Sequence, residues 1–203
     1  MKPTIRHIVM CLFLFTLPLF AQEEKPVLTE ADWGLIVPYL EKEEWAGAEK
    51  IAKELFKKFT KETDESLDAQ AMRYIYLCTV AGQVGDKVIT KEEGIKRANL
   101  IKGKTVVTAY CVFKPKGMFN LFSISEENKG WNKCFSNNSA TTIYMFEHYD
   151  MDDKELLKES VYSRLEGKEM RLKAVVKEIT AGGFAMPRLD VNFTSADIYD
   201  AEP

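Results

Sequence analysis

Near residue 102 the spacing of apolar side chains changes, and this change restricts the fold more than any other feature of the chain. Before it, apolar residues recur every three or four positions. Trp33, Ile36, Val37 and Leu40 fall on one face, followed by Trp45, Ala48, Ile51, Ala52, Leu55, Phe56 and Phe59, then by Leu67, Ala71, Tyr74, Cys78 and Ala81. That period is helical. Thr29 ahead of an acidic first turn and Thr90 three residues before Glu93 supply N-caps. Pro38 predicts a kink or a break in the first helix, and Gly82 with Gly85 predicts the end of the third. After residue 102 the period is two. Strands are expected over 104–115, 118–125, 140–149, 168–180 and 184–199, with a helix in DDKELLKESVYSRLEG between the third and fourth. The chain is therefore expected to be α+β, with helices and strands segregated along the sequence. The expected boundaries are an N-terminal segment over 1–21, an α-helical region over 22–101 and a β region over 102–203.

Two resemblances refine this reading. The stretch WAGAEKIAKELFKKF, with Ala48 and Ala52 at tight crossing positions, resembles the second half of a tetratricopeptide repeat and implies helical hairpins. No second copy follows at a fixed period, so an ordinary small helical bundle stays open beside it. In the second region the order is three strands, one helix, two strands. Gly103-Lys104 and Gly167-Lys168 each open a strand directly after a helix. This resembles the OB-like barrels of exported bacterial proteins, over roughly residues 100–200, and implies a five-stranded barrel with its helix between strands 3 and 4. Another mixed α+β sheet fits the same order.

The N-terminus carries an export pattern. Lys2 and Arg6 precede an apolar run over residues 8–20, and Ala21-Gln22 follows. A basic start, a short apolar stretch and a small residue at the cut describe a secretory signal peptide. The run is shorter than the about 20 residues a membrane span needs. The ending Phe20-Ala21-Gln22 resembles signals common in exported proteins of the Bacteroidetes group. Cys11 sits mid-run with no small-residue box before it, so no lipid anchor is expected. The expected location is periplasmic or secreted, with no transmembrane segment after cleavage.

Cleavage removes two of the 28 Lys and Arg and none of the 31 Asp and Glu, leaving 26 against 31 and a net charge of −5. An acidic exported protein lacks the clustered bases that phosphate contacts require, so a nucleic-acid partner is excluded. Cys78, Cys111 and Cys134 remain. An oxidising compartment permits a disulfide, and Cys111 with Cys134 is the pair to test.

Chemistry-bearing motifs are sparse. His7 lies in the signal, so His148 is the one histidine left. It sits in EHYDMDD, where the acids do not alternate regularly and no glycine follows, unlike a calcium loop. A strand running into an acidic helix start explains the motif. A Cys–His nucleophile pair would need Cys134 activated by His148, and a serine triad would need the same His148 and has no Gly-x-Ser-x-Gly. Gly182-Gly183 marks a turn between the last two strands. Lys104, Arg171, Lys173 and Lys177 form a basic stripe that reads as a solvated sheet face. Aromatic residues concentrate in the β region. The strand 2–3 face of an OB-type barrel binds ligands, so the resemblance points to Phe119, Phe122, Trp131 and Tyr144, with Trp131 exposed beside a polar loop.

No catalytic residue, metal site or cofactor is expected. Three functions follow from the pattern. The first is an exported, non-catalytic binding or interaction module of the cell envelope with a protein, peptide or glycan partner. It predicts a concave face mixing aromatic and polar residues. The second is a small hydrolase or metal-assisted enzyme centred on His148 and Cys134, whose side chains would then converge. The third is a structural part of an envelope assembly, with exposed apolar patches around Trp33 and Trp45.

Overall fold

The computed structural model describes residues 26–201, except Met118, Glu126, Asn128 and Phe184. The expected signal over residues 1–21, with His7, Cys11 and the Ala21-Gln22 junction, lies outside the described residues.

Four helices come first: α1 (Glu30–Glu41), α2 (Trp45–Phe56), α3 (Leu67–Gly85) and α4 (Lys91–Ala98). Thr29 caps α1 in a reciprocal box with Asp32, and the Ser66 and Thr90 side chains cap α3 and α4. Pro38 is contained within α1, which runs through it as one helix. Gly82 does not end α3. It lies inside the helix where a Cβ would overlap the Trp45 indole, so its role is close approach between α2 and α3.

The second half forms one seven-stranded mixed sheet: β1 (Thr105–Val107), β2 (Cys111–Val112), β3 (Ser123–Ser125), β4 (Gly130–Ser136), β5 (Ile143–Met151), β6 (Glu169–Gly182) and β7 (Arg188–Ala201). The order is β1-β6-β7-β5-β4-β3, with β2 also pairing β6. The α+β class is as expected. The five-stranded barrel is not: the sheet is open, with β1 and β3 at its two ends. The long β6–β7 hairpin places β7 parallel to β5, in register from Met145↔Leu189 to Tyr149↔Phe193. An isolated bridge between Phe113 and Phe122 joins the end of β2 to the segment before β3, short of a continuous ladder.

Two local departures shape the molecule. The expected strand over 104–115 is interrupted after Val107. There the Thr108 hydroxyl accepts the Leu172 N–H at 2.9 Å, so a side chain takes over an acceptor role of the main-chain ladder. The segment expected to be a polar loop contains β4, paired with β5 from Trp131↔Tyr149 to Cys134↔Phe146. The expected helix between strands shrinks to a 3-10 turn (Lys154–Leu157) and a single turn, α5 (Glu159–Tyr162).

Helices and sheet share one core. It runs without interruption from Leu28, Ile36 and Leu77 on the helical side to Met145, Leu172 and Phe193 in the sheet. The last helical turn ends at Ile101 and β1 begins at Thr105, with the core continuous across that point. No helix among the described residues is long and apolar enough to cross a membrane.

Candidate functional site

Trp131, Lys133 and Phe135 share one side of β4 by strand alternation, which turns Lys133 towards α3. Glu147 and Tyr149 do the same on β5. From α3, Tyr74 completes the set. Its hydroxyl lies 3.0 Å from each Glu147 carboxylate oxygen, and the Tyr149 hydroxyl also donates to Glu147. The Lys133 Nζ donates to the Tyr74 hydroxyl oxygen and, at 3.2 Å, to Glu147 Oε1. It also sits 4.9 Å from the centre of the Tyr74 ring, a cation–π contact. The Lys133 and Glu147 side chains are only 4% and 0% exposed. Two buried ions persist there because each is paired and hydrogen-bonded.

The electrostatics follow from that burial. Desolvation pulls the Lys133 ammonium towards neutrality, but Glu147 beside it more than compensates and holds it protonated. Desolvation, reinforced by the Glu147 charge, pushes the Tyr74 and Tyr149 hydroxyls well above their ordinary value. Burial likewise pushes the Cys78 thiol up to about 12 and raises Cys111, although the nearby Lys133 charge opposes both shifts. Around pH 7 Lys133 is an ammonium, Tyr74 and Tyr149 are phenols, and Cys78 and Cys111 are thiols.

Tyr74, Lys133, Cys78 and Cys111 of this cluster form the floor of a cavity of about 650 Å³ between the helices and the sheet, with Glu147 and Tyr149 behind them. Leu67, Ala71, Ile75 and Cys78 of α3 line one wall; the interrupted edge at Val107–Cys111 lines another. Trp33, Trp45 and Phe135 close the apolar side. The exposed residues Tyr110, Asn120 and Asn138 lie at the mouth, and Arg171 is beside them. Arg171 is held between the Tyr110 and Tyr199 rings, 4.5 and 5.2 Å from their centres, and pairs with Asp200 at 3.0 Å. The helical stripe of α3 thus turns partly towards a void instead of towards another helix.

The residues expected to bind ligand lie elsewhere. Trp131 is 0% exposed and packs on Phe113 and Phe122, at 4.4 and 6.1 Å between ring centres. Phe122 is equally buried, edge-on to Tyr149. Tyr144 is buried edge-on to Trp45, and Phe119 is half-buried on a bridge to Cys134. None of the four lines the cavity, although their neighbours Asn120, Lys133 and Phe135 do. The expected exposure of Trp131 assumed a loop; in a paired strand its indole turns inward.

The Cys111–Cys134 bridge is not formed, and all three cysteines among the described residues are free. Cys111 lines the cavity with Lys133, whereas Cys134 sits one position on along β4, on the other face of the sheet, and does not line it. His148 also points away from the Lys133 side. Its Nδ1 is 2.8 Å from Asn132 Oδ1. Burial lowers its pKa, Asp150 opposes that shift and Lys177 adds to it. Among the described residues no group of three or more His, Cys, Asp and Glu could hold a metal ion. Of the basic stripe, Arg171 reaches the cavity mouth, Lys104 pairs with Asp64 at 2.9 Å, and Lys173 and Lys177 are exposed.

Sequence reasoning did not single out Lys133, Glu147 or Tyr74 as a set. A usable signal exists in the alternation Trp131-x-Lys133-x-Phe135, where a lysine shares the parity of two large aromatic residues. Comparison with protein-family models, curated proteins and solved structures finds no match.

Proposed function

We propose that the protein is an exported, non-catalytic binding protein of the cell envelope, and that its ligand is a small, largely apolar molecule held in the cavity between α3 and the sheet. The cavity itself carries the reading. Its volume is that of ordinary small-molecule sites, about 300–1,000 Å³. Its lining mixes aromatic walls with a few placed polar groups, as a binding module requires. Trp33 and Trp45 line it, with Trp45 buried. The N-terminal sequence pattern supports export.

The chemistry of the floor favours holding over transforming. A lysine kept protonated is a donor and a point charge, not a nucleophile. Thiols raised by burial are poor nucleophiles for the same reason. His148, on the far face, cannot serve the cavity as a base.

The test is titration of the purified protein with Nile red, an uncharged solvent-sensitive dye. Saturable binding at one site per chain is expected. Ala71→Trp, which fills the cavity from the middle of its α3 wall, should abolish it while the circular dichroism spectrum stays unchanged. Ala71→Leu should weaken it by an intermediate amount. Non-saturable binding, or equal binding by all three proteins, would overturn the reading.

A further inference from the structure

We infer that the cavity selects an uncharged ligand bearing an oxygen acceptor, such as a ketone or alcohol on an apolar body, and rejects the corresponding carboxylate. The inference rests on the cavity being the binding site and adds the chemical class it takes. Two observations carry it, one on charge and one on donors.

Each ionised group lining the cavity has a charged or hydrogen-bonded partner, and the buried Nε of Arg171 and Nε1 of Trp45 are left as further N–H donors without an acceptor among the described residues. Lys133 is matched by Glu147 at 3.2 Å, and Arg171 by Asp200 at 3.0 Å. Asp68 accepts the backbone N–H groups of Val27 and Leu28 at 2.6 and 2.8 Å, and Glu43 accepts that of Asn138 at 2.5 Å. Lys133 at the floor is matched by the Glu147 behind it. A ligand carboxylate entering the cavity would leave water without meeting an unmatched charge, and its negative charge would approach buried Glu147.

The donor inventory then specifies the neutral group. A lysine ammonium has three N–H donors. One is directed to Tyr74 and one to Glu147. Among the described residues these are the two hydrogen-bond acceptors of the Nζ, and Lys133 lines the cavity, so the third N–H is left for a ligand there. An oxygen acceptor in the cavity would gain a charge-assisted hydrogen bond there, in a region of low dielectric constant. Tyr74 does not compete for that role, because its proton is directed at Glu147.

Three probes sharing one ring system separate the possibilities: 2-acetylnaphthalene, 2-ethylnaphthalene and 2-naphthoate, each measured by displacement of Nile red. The ketone is expected to bind about tenfold tighter than the ethyl compound, since a hydrogen bond to a charged donor discriminates by that much. The carboxylate should bind at least about tenfold more weakly than the ketone. Glu147→Gln leaves Lys133 unmatched, so the order should reverse and 2-naphthoate become the tightest of the three. The double variant Lys133→Met with Glu147→Gln removes both charges together. There the ketone and the ethyl compound should bind alike, which separates the role of Lys133 from general loss of folding. Equal or tighter binding of 2-naphthoate by the unaltered protein would overturn the inference while leaving the cavity as the site. So would failure of all three probes to displace bound Nile red. Failure of Nile red itself to bind would overturn the site.

Discussion

Lys133 is an ion buried in the middle of a strand, and its neighbours decide what its removal does. Lys133→Ala leaves the Glu147 carboxylate buried without its counter-ion, with only Tyr74 and Tyr149 to donate to it. Breaking such a pair costs about 3–5 kcal/mol. Replacing both ions by groups of similar size, Lys133→Met with Glu147→Gln, should recover most of that loss, because no charge is stranded. Urea unfolding of the three proteins checks this, and an equally unstable double variant would show that the pair stabilises by something beyond charge matching. The sequence shows the residues of this pair but not the pairing. Lys133 and Glu147 lie on strands whose register is set by the β4–β5 ladder, and Tyr74 comes from a helix 73 positions earlier than Glu147. Local spacing carries no record of such a meeting. What local spacing does record is parity, and Trp131, Lys133 and Phe135 share it.

At the scale of elements, the helices were legible and part of the sheet was not. α2 announces itself by small residues at Ala48 and Ala52, both completely buried in the core. β4 was hidden by its flanks, since SEENKG and NNSA have turn composition and mask the six or seven alternating residues between them. The strand order was hidden for another reason: the parallel β5–β7 contact joins strands separated by a 3-10 turn, α5 and all of β6. Between the helices, Glu49 is the main polar link. Its carboxylate on α2 accepts from Gln83 of α3 at 2.8 Å and Arg97 of α4 at 2.8 Å, and pairs with Lys53 at 2.5 Å. Burial works to raise its pKa, but the Gln83 amide and the Lys53 and Arg97 charges together bring it below 4.5. A lowered folded value stabilises the protein fully above the unfolded value near 4.5, and this stabilisation fades as pH falls through the folded value. Glu49→Gln should therefore destabilise by about 2 kcal/mol at pH 7, the usual scale for a hydrogen bond to a charged group. The gap to the unaltered protein should close in acid. Denaturation midpoints measured from pH 7 down to pH 3 would check it; a gap that stays constant would remove Glu49 as a charged link.

On the scale of the whole molecule, the division visible in the sequence does not divide the core. The change of period near residue 102 is real, since the last helical turn ends at Ile101 and the first strand begins at Thr105. Yet α3 packs directly on β1 and β5, and Tyr74 is bonded to the sheet through Glu147. Arg73, on the same helix, donates to the Thr105 carbonyl oxygen at 3.0 Å. Neither part can bury its apolar face without the other, and a unit with one core unfolds as one. Thermal unfolding followed by far-ultraviolet circular dichroism reports the helices most strongly, whereas Trp131 fluorescence, in a protein with Trp33 and Trp45 replaced by Phe, reports the sheet. The two probes should give coincident transitions at one midpoint. A ligand of the cavity, which touches both parts, should shift both midpoints equally, by an amount set by its concentration relative to its dissociation constant. Separated transitions, or a ligand that moved only one of them, would mean that the helical layer and the sheet are independent units, and that the cavity between them is an interface able to open.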